Sequence, residues 1–504
     1  MNLAGLLDLH PDDRVALISR GRSTTYGELR EQVAALRGGL TRLGITPGDR
    51  VAVIANNNWY FVVSYLATLG VGAVSVPLNP QTPPAAVATE LNSVGAVAAV
   101  IGPSARSALD QVTPESVPSL THRIGAGFEP VGGTTLDDLM SGDPLPMVDV
   151  EDSDLAVLVF TSGTAGSPKA AMLTHGNLLV NLRQVAAASD DGPGPDDVGF
   201  GLLPMFHIFG LNVVLGVALA TGATVVLIER FDPVSALEAI EKHGITMISG
   251  PPNMWAAFAG LTGVGADAMS KVRLATSGAA KLAPEVATAM SERYGVQISE
   301  GYGLTEASPV VTAGVGMETP VGSVGVPVPG LEMRLVDLDG QDVLVGDAGE
   351  IWVRGPNVFG GYWQDQEATN RVLDPEGWLH TGDLAVVDDD GFVYLVDRIK
   401  DLIIVSGFNV FPAEVEEVLL EHPAIEAAAV VGVAHPHTGE AVRAYVVARN
   451  GFSIEEDDVI EFVASRLARY KCPNKVTFVD EIPVGLGGKV LRKALREESD
   501  EATG

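Results

Sequence analysis

Five short, almost continuously apolar runs at 51–55, 73–76, 96–101, 155–160 and 224–228 alternate with longer helix-patterned stretches over the first two thirds of the chain. A strand without polar alternation must be covered on both faces, and parallel sheets flanked by their own crossover helices are what cover it. An α/β fold with a large N-terminal domain of parallel α/β sheets is therefore expected. With 504 residues the chain outgrows a single core, so a further domain is required. From about residue 330 the strands shorten and the turns become acidic, as in Asp337-Leu338-Asp339-Gly340 and Asp388-Asp389-Asp390-Gly391. That texture predicts hairpins and a smaller antiparallel subdomain. Beyond 400 the pattern becomes compact α+β, with helices over 412–421 and 454–467 and strands over 427–433 and 441–448. The domains expected are 1–397, a hinge at 398–401, and a small mobile α+β C-terminal domain over 402–504.

The formal net charge of -32 disfavours nucleic acid and anionic membrane surfaces as partners, since both demand a basic face. Five of the nine lysines (Lys400, Lys471, Lys475, Lys489 and Lys493) lie from position 400 onward, so the cations that could meet a polyphosphate are concentrated there. One cysteine, Cys472, excludes an internal disulfide, and the basic start of a secretory signal is missing; a cytoplasmic location fits best. The uncharged stretch 208–228 has the length of a membrane span, but it carries Asn212, glycines and threonines. It reads as a buried helix followed by a strand, and no transmembrane segment is expected.

Chemistry concentrates after the run at 155–160. Thr161-Ser162-Gly163-Thr164-Ala165-Gly166-Ser167-Pro168-Lys169 is a strand-to-loop segment of small and hydroxylated residues ending in a lysine, with Thr174 placed to cap a helix through Asn177. Without bulky side chains, backbone N–H groups can close on phosphate oxygens while hydroxyls and an ammonium complete the cradle. The spacing does not match the Walker pattern. On composition alone, a Ser/Gly-rich surface turn remains an alternative.

The loop resembles the phosphate-binding signature of the acyl-adenylate-forming superfamily, which holds acyl-CoA synthetases, aryl-CoA ligases, luciferases and peptide-synthetase adenylation domains. Further segments match in order: Leu203-Pro204-Met205-Phe206-His207-Ile208-Phe209-Gly210 resembles the acid-pocket motif, Gly301-Tyr302-Gly303-Leu304-Thr305-Glu306 the adenine motif, and Gly377-Trp378-Leu379-His380-Thr381-Gly382-Asp383 the ribose motif. The segment from Asp397 to Val415 is similar to the hinge region, and Gly488-Lys489 to the C-terminal lysine loop. The resemblance implies an ATP-dependent acid-CoA ligase that uses ATP, Mg2+ and coenzyme A, forms an acyl adenylate and then a thioester.

Under that resemblance Thr161, Ser162, Gly163, Thr164, Gly166 and Lys169 bind the ATP phosphates. Tyr302, with Gly303 and Thr305, faces the adenine beside the small Gly278 and Ala279. Asp383 accepts the ribose hydroxyls, and Arg398 donates to the ribose. Glu306, with Thr161 as a second contact, is the magnesium ligand; Mg2+ keeps several waters, so one carboxylate plus ATP phosphates is a sufficient set. Lys489 is the catalytic cation bridging carboxylate and α-phosphate, and His207 is assigned both catalytic and acid-pocket roles. The loop departs from the family pattern at Gly485-Leu486-Gly487, where a hydroxyl residue is usual. Lys400 is the hinge residue, and Ser406, Gly407, Phe408 and Arg443 are assigned to coenzyme A.

The acid pocket is assigned to His207, Phe209, Met254, Trp255 and Gly301, with Trp255 a gate or plain core. No acidic residue occurs in 206–214, and burying an unpaired substrate ammonium would cost several kcal/mol, so amino acids are disfavoured. A medium- or long-chain fatty acid is expected, followed by an aryl acid of the coumarate or benzoate kind. Carrier-protein loading, a luciferase-type oxygenase and a non-catalytic nucleotide binder remain the alternatives, and a homodimer is compatible with the family.

Overall fold

The computed structural model describes every residue except 162–167, 338, 407, 436, 437, 486–489 and 502–504, and every side chain apart from these and those of 409 and 497–501. Contacts divide the chain into two compact units, the first holding 1–278, 282–332 and 353–379, the second 279–281, 333–352 and 380–504.

The first unit contains two large sheets. One has seven strands in the order Thr134–Thr135, His122–Gly125, Ala98–Ile101, Arg50–Ile54, Val74–Pro77, Leu155–Thr161, Lys169–Thr174. All its pairings are parallel except the last. The apolar runs predicted this sheet: Ala52, Ile54, Val76, Ala99, Ile101 and Leu158 are buried in one cluster with Leu91 of the helix Pro84–Val94. The sequence places a helix cap at Thr174 but no element between it and Lys169. The segment from Lys169 forms an antiparallel strand first, and the helix His175–Ala187 begins where Thr174 and Asn177 form a reciprocal capping box.

The second sheet has nine strands, with Val310–Ala313, Ile298–Gly303, Leu274–Ser277, Met247–Gly250, Val198–Gly201, Thr224–Leu227 and Val15–Ser19 in succession between the edge strands Val326–Pro327 and Arg22–Thr25. Its central pairings are parallel. The stretch 208–228 resolves as expected into helix and strand: a wide π-type helix Phe209–Gly216, the helix Val217–Thr221 and the strand Thr224–Leu227. Among the described residues no helix is long and apolar enough to cross a membrane.

The second unit carries an antiparallel sheet in the order Glu332–Val336, Gly349–Arg354, Leu379–Val387, Val393–Arg398, and a five-stranded sheet built on the long pair Ile425–His435 and Gly439–Ala448. The antiparallel strands group with 402–504 in this unit. The helix Pro412–Leu420 packs against the strand Val393–Arg398, and Asp397 Oδ2 accepts the Ala413 N–H at 2.9 Å.

Candidate active site

In parallel α/β sheets ligands gather beyond the carboxyl ends of the strands, and the predicted residues of the first unit sit at such ends. Thr161 closes the strand Leu155–Thr161 and is the cross-strand partner of Lys169; its hydroxyl donates to the Lys169 carbonyl at 3.4 Å. Ser162, Gly163, Thr164 and Gly166 lie outside the described residues. The Lys169 ammonium lies 5.2 Å from the ring centroid of Tyr362, a cation–π distance. Tyr362 belongs to a segment that continues this sheet edge, where Met172 N–H donates to Gly361 O at 3.0 Å and Trp363 N–H to Ala170 O at 2.8 Å.

The strand Ile298–Gly303 delivers the adenine motif. Tyr302 is buried and pairs with Thr312 on the neighbouring strand. Gly303 permits a close approach that no side chain would allow, since an added Cβ would lie 2.3 Å from the Pro309 carbonyl oxygen. The chain then turns through the 3-10 segment Thr305–Ala307, which sets Thr305 inward and Glu306 half-buried. Buried amides fix this turn: Asn357 Nδ2 donates to Ala307 O and Asn212 Nδ2 to Ser308 O, both at 2.8 Å. Phe359 N–H donates to Glu306 O, also at 2.8 Å. The Tyr362 hydroxyl donates to Glu306 Oε1 at 2.6 Å. Burial and the Glu306 charge push the Tyr362 phenol far up, so it stays a proton donor at neutral pH. Tyr362 lies in none of the motifs read from the sequence, and a tyrosine after Gly360-Gly361 gives no signal of its own.

The acid-pocket motif follows the strand Val198–Gly201. Asn57 clamps it from below: Nδ2 donates to Gly201 O, Leu202 O and Leu203 O, while Oδ1 accepts Met205 N–H. His207 is exposed, and its Nδ1 accepts the Phe209 N–H at 3.3 Å. Phe209 begins the π-type helix, a geometry often found at functional sites. Its ring carbons lie 3.3 Å from where a Cβ on Gly278 would stand, and the Gly301 carbonyl lies 3.6 Å from the same point. Phe209, Gly278 and Gly301 therefore converge. Met254 and Trp255 are both buried. Trp255 is 0% exposed and donates its indole N–H to Thr276 O at 3.2 Å, while the Met254 thioether fills the hollow over Gly250.

In the second unit Asp383 and Arg398 face each other across antiparallel strands, with Arg398 Nε 2.8 Å from Asp383 Oδ1. Asp383 is buried, so the carboxylate is already held by a guanidinium. Ala279 has a left-handed backbone, φ 73°. Lys400 sits in the 3-10 turn Ile399–Asp401, and burial followed by the Arg398 charge lowers its pKa. Ser406 adopts φ 52°, and the exposed Phe408 stacks on Tyr470 with centroids 4.8 Å apart. Arg443 has a buried Nε on the strand Gly439–Ala448, in register with Lys475. Gly407 and Lys489 lie outside the described residues.

A family model described as AMP-binding enzyme matches residues 7–363, and one described as AMP-binding enzyme C-terminal domain matches 414–489. The chain belongs to the AMP-binding enzyme family. It is 37% identical to a feruloyl-CoA synthase of Amycolatopsis over 478 residues, 94% of each protein. It is 35% identical to a long-chain-fatty-acid–CoA ligase of Escherichia coli O157:H7 over 520 residues, 97% of this chain and 92% of that one. The ATP-bound crystal structure of MatB from Rhodopseudomonas palustris superposes with a TM-score of 0.90 at 31% identity, covering 100% of this chain and 99% of the other. The chain is thus an AMP-forming acid–CoA ligase that uses ATP, Mg2+ and coenzyme A. The donor set suits magnesium. Among the described residues Glu306 Oε2 accepts no hydrogen bond while Oε1 is engaged, which is one hard oxygen for a cation that binds through few carboxylates plus phosphates.

Proposed function

We propose that the acid activated is aryl-substituted, of the cinnamate or benzoate kind. What supports this is the convergence of the Phe209 ring on Gly278 and Gly301. A flat ring can stack there on Phe209 over bare backbone, with the buried Met254 and Trp255 nearby in sequence on the helix Pro252–Ala259. This reverses the preference for a fatty acid drawn from apolar lining alone. A fatty acid is the second reading, favoured by the likeness to the Escherichia coli ligase.

In this reading Tyr302, Gly303 and Thr305 take the adenine, with Gly278 and Ala279 beside it. Asp383 and Arg398 take the ribose, and Thr161, Lys169 and residues 162–166 take the phosphates. Glu306, aided by Thr161, holds magnesium, which when bound neutralises phosphate charge. His207 orients the acid carboxylate toward the α-phosphate. Lys489 supplies a fixed ammonium between the two approaching anions, where electrostatic stabilisation is worth most. The hinge at 398–401 then exchanges Lys489 for Ser406, Gly407 and Phe408, and Arg443 meets the coenzyme A phosphates. A cytoplasmic location accords with the single cysteine.

Acid-dependent ATP–pyrophosphate exchange over benzoate, cinnamate, coumarate, ferulate, octanoate and palmitate, with and without coenzyme A, tests the proposal. Aryl acids are expected to support exchange, with thioester formed when coenzyme A is added. Exchange with palmitate and none with any aryl acid refutes it.

A further inference from the structure

We propose that Tyr362 sets how Glu306 can coordinate a metal, and thereby makes the site selective for magnesium over larger divalent ions. The inference rests on the reading of Glu306 as the metal-binding carboxylate. At 2.6 Å the Tyr362 Oη to Glu306 Oε1 contact has the length of a charge-assisted O–H to carboxylate bond. Neither partner can swing away easily. Tyr362 is buried, its N–H donates to Thr369 Oγ1 at 2.9 Å, and its backbone bridges Ala171. The Phe359 ring meets the Tyr362 ring edge-on at 5.0 Å, and the Phe359 N–H holds the Glu306 carbonyl.

With Oε1 committed to the phenol, Glu306 presents Oε2 alone. A single carboxylate oxygen suits Mg2+, which demands a near-octahedral shell and retains waters. Ca2+ accepts both oxygens of a carboxylate at longer distances, and a two-oxygen grip is what the phenol opposes. Tyr362 is thus a positioning residue. Its ring also carries the Lys169 ammonium at 5.2 Å, so one side chain aligns the metal ligand and a phosphate-loop cation together.

Tyr362→Phe removes the hydroxyl and keeps the ring, so packing and the Lys169 contact survive. The test measures Mg2+ and Ca2+ affinities by displacement of bound Mn2+, followed by its paramagnetic resonance signal, with a non-hydrolysable ATP analogue present and unchanged thermal melting as the control for folding. The Ca2+ to Mg2+ affinity ratio should rise about tenfold in Tyr362→Phe, the lower end of what loss of a hydrogen bond to a metal ligand does. Glu306→Gln should abolish Mn2+ binding beyond that of the nucleotide alone. An unchanged or lower ratio in Tyr362→Phe, with Glu306→Gln still defective, overturns the role of Tyr362 and leaves Glu306 as ligand. Full Mn2+ binding by Glu306→Gln removes the parent reading and this inference with it.

Discussion

Replacing Arg492 by Met would expose how the second unit is held together. Arg492 is four-fifths buried, its Nη2 lies 2.8 Å from both Glu416 oxygens, and its Nε donates to Val430 O at 3.2 Å. Its Nη1 stands 3.6 Å from Asp401 Oδ2. Burial pushes Glu416 up against the pull of Arg492, and burial likewise raises Asp397. With the guanidinium gone, Asp397 and Glu416 would lose the charge that opposes their burial, while Asp401 keeps Arg496 at 3.1 Å. Breaking a buried pair by removing one partner costs about 3–5 kcal/mol, and the partial exposure argues for about 3 kcal/mol. At 1.4 kcal/mol per decade that is roughly 10²-fold faster amide hydrogen exchange in Ile425–His435 and Gly439–Ala448. The sign with pH follows from the raised carboxyls. An acid whose folded pKa lies above its unfolded one costs stability once ionised, so the deficit should be largest near about pH 8 and shrink toward about pH 5. Arg492→Met/Glu416→Gln should regain most of the loss. A deficit that is flat with pH, or a double variant as weak as the single, would refute the electrostatic account.

Lys489→Ala should slow adenylate formation by about 10²-fold or more while sparing thioester formation from preformed adenylate, which separated half-reaction assays would show. Gly278→Val places a branched carbon where Phe209 already stands 3.3 Å from the Cβ position, so kcat/KM for ferulate should fall about tenfold or more, on the scale of one or two misplaced methylenes, and acetate should lose less. Asp383→Asn removes a charged acceptor worth about 1.5–3 kcal/mol per hydrogen bond. KM for ATP should rise about tenfold or more, and 2′,3′-dideoxy-ATP should show no further loss; equal losses for both nucleotides would move Asp383 away from the ribose.

The parallel core was readable because its strands advertise themselves: Val51, Ala52, Val53 and Ile54 are all buried, and two-sided burial writes an unbroken apolar run. The strand Lys169–Thr174 was not, because its alternation is interrupted by Ala170 and Ala171 and its pairing with Leu155–Thr161 is invisible to local propensity. The residues proposed to touch ligand come from motif chemistry. Those that hold them do not. Asn57, Asn212, Asn357 and Tyr362 act through contacts 50 to 150 positions away, and no spacing rule reports such a partner. Trp255 shows the limit of such reading: a large aromatic near a pocket motif carries the same letter whether it lines a cavity or fills a core.

The two units also differ in what fixes their functional segments. In the first, neutral amides do it: Asn57, Asn181, Asn212 and Asn357 tie loops to one another through carbonyls and N–H groups. Such bonds carry no titration between acid and neutral pH, and a buried donor left unmatched costs about 1–3 kcal/mol, so these loops have one favoured arrangement. In the second unit the segment 397–401 is fixed by carboxylates sharing two guanidiniums. Arg496 both pairs with Asp401 and donates toward the Lys400 carbonyl at 3.5 Å. Ion clusters of this kind tolerate partner exchange better than amide clamps do, because charge attraction falls off gradually with distance while a hydrogen bond fails within a fraction of an ångström. A segment proposed to change its backbone angles while chemistry proceeds elsewhere is therefore anchored by the interaction type that can be rearranged at least cost.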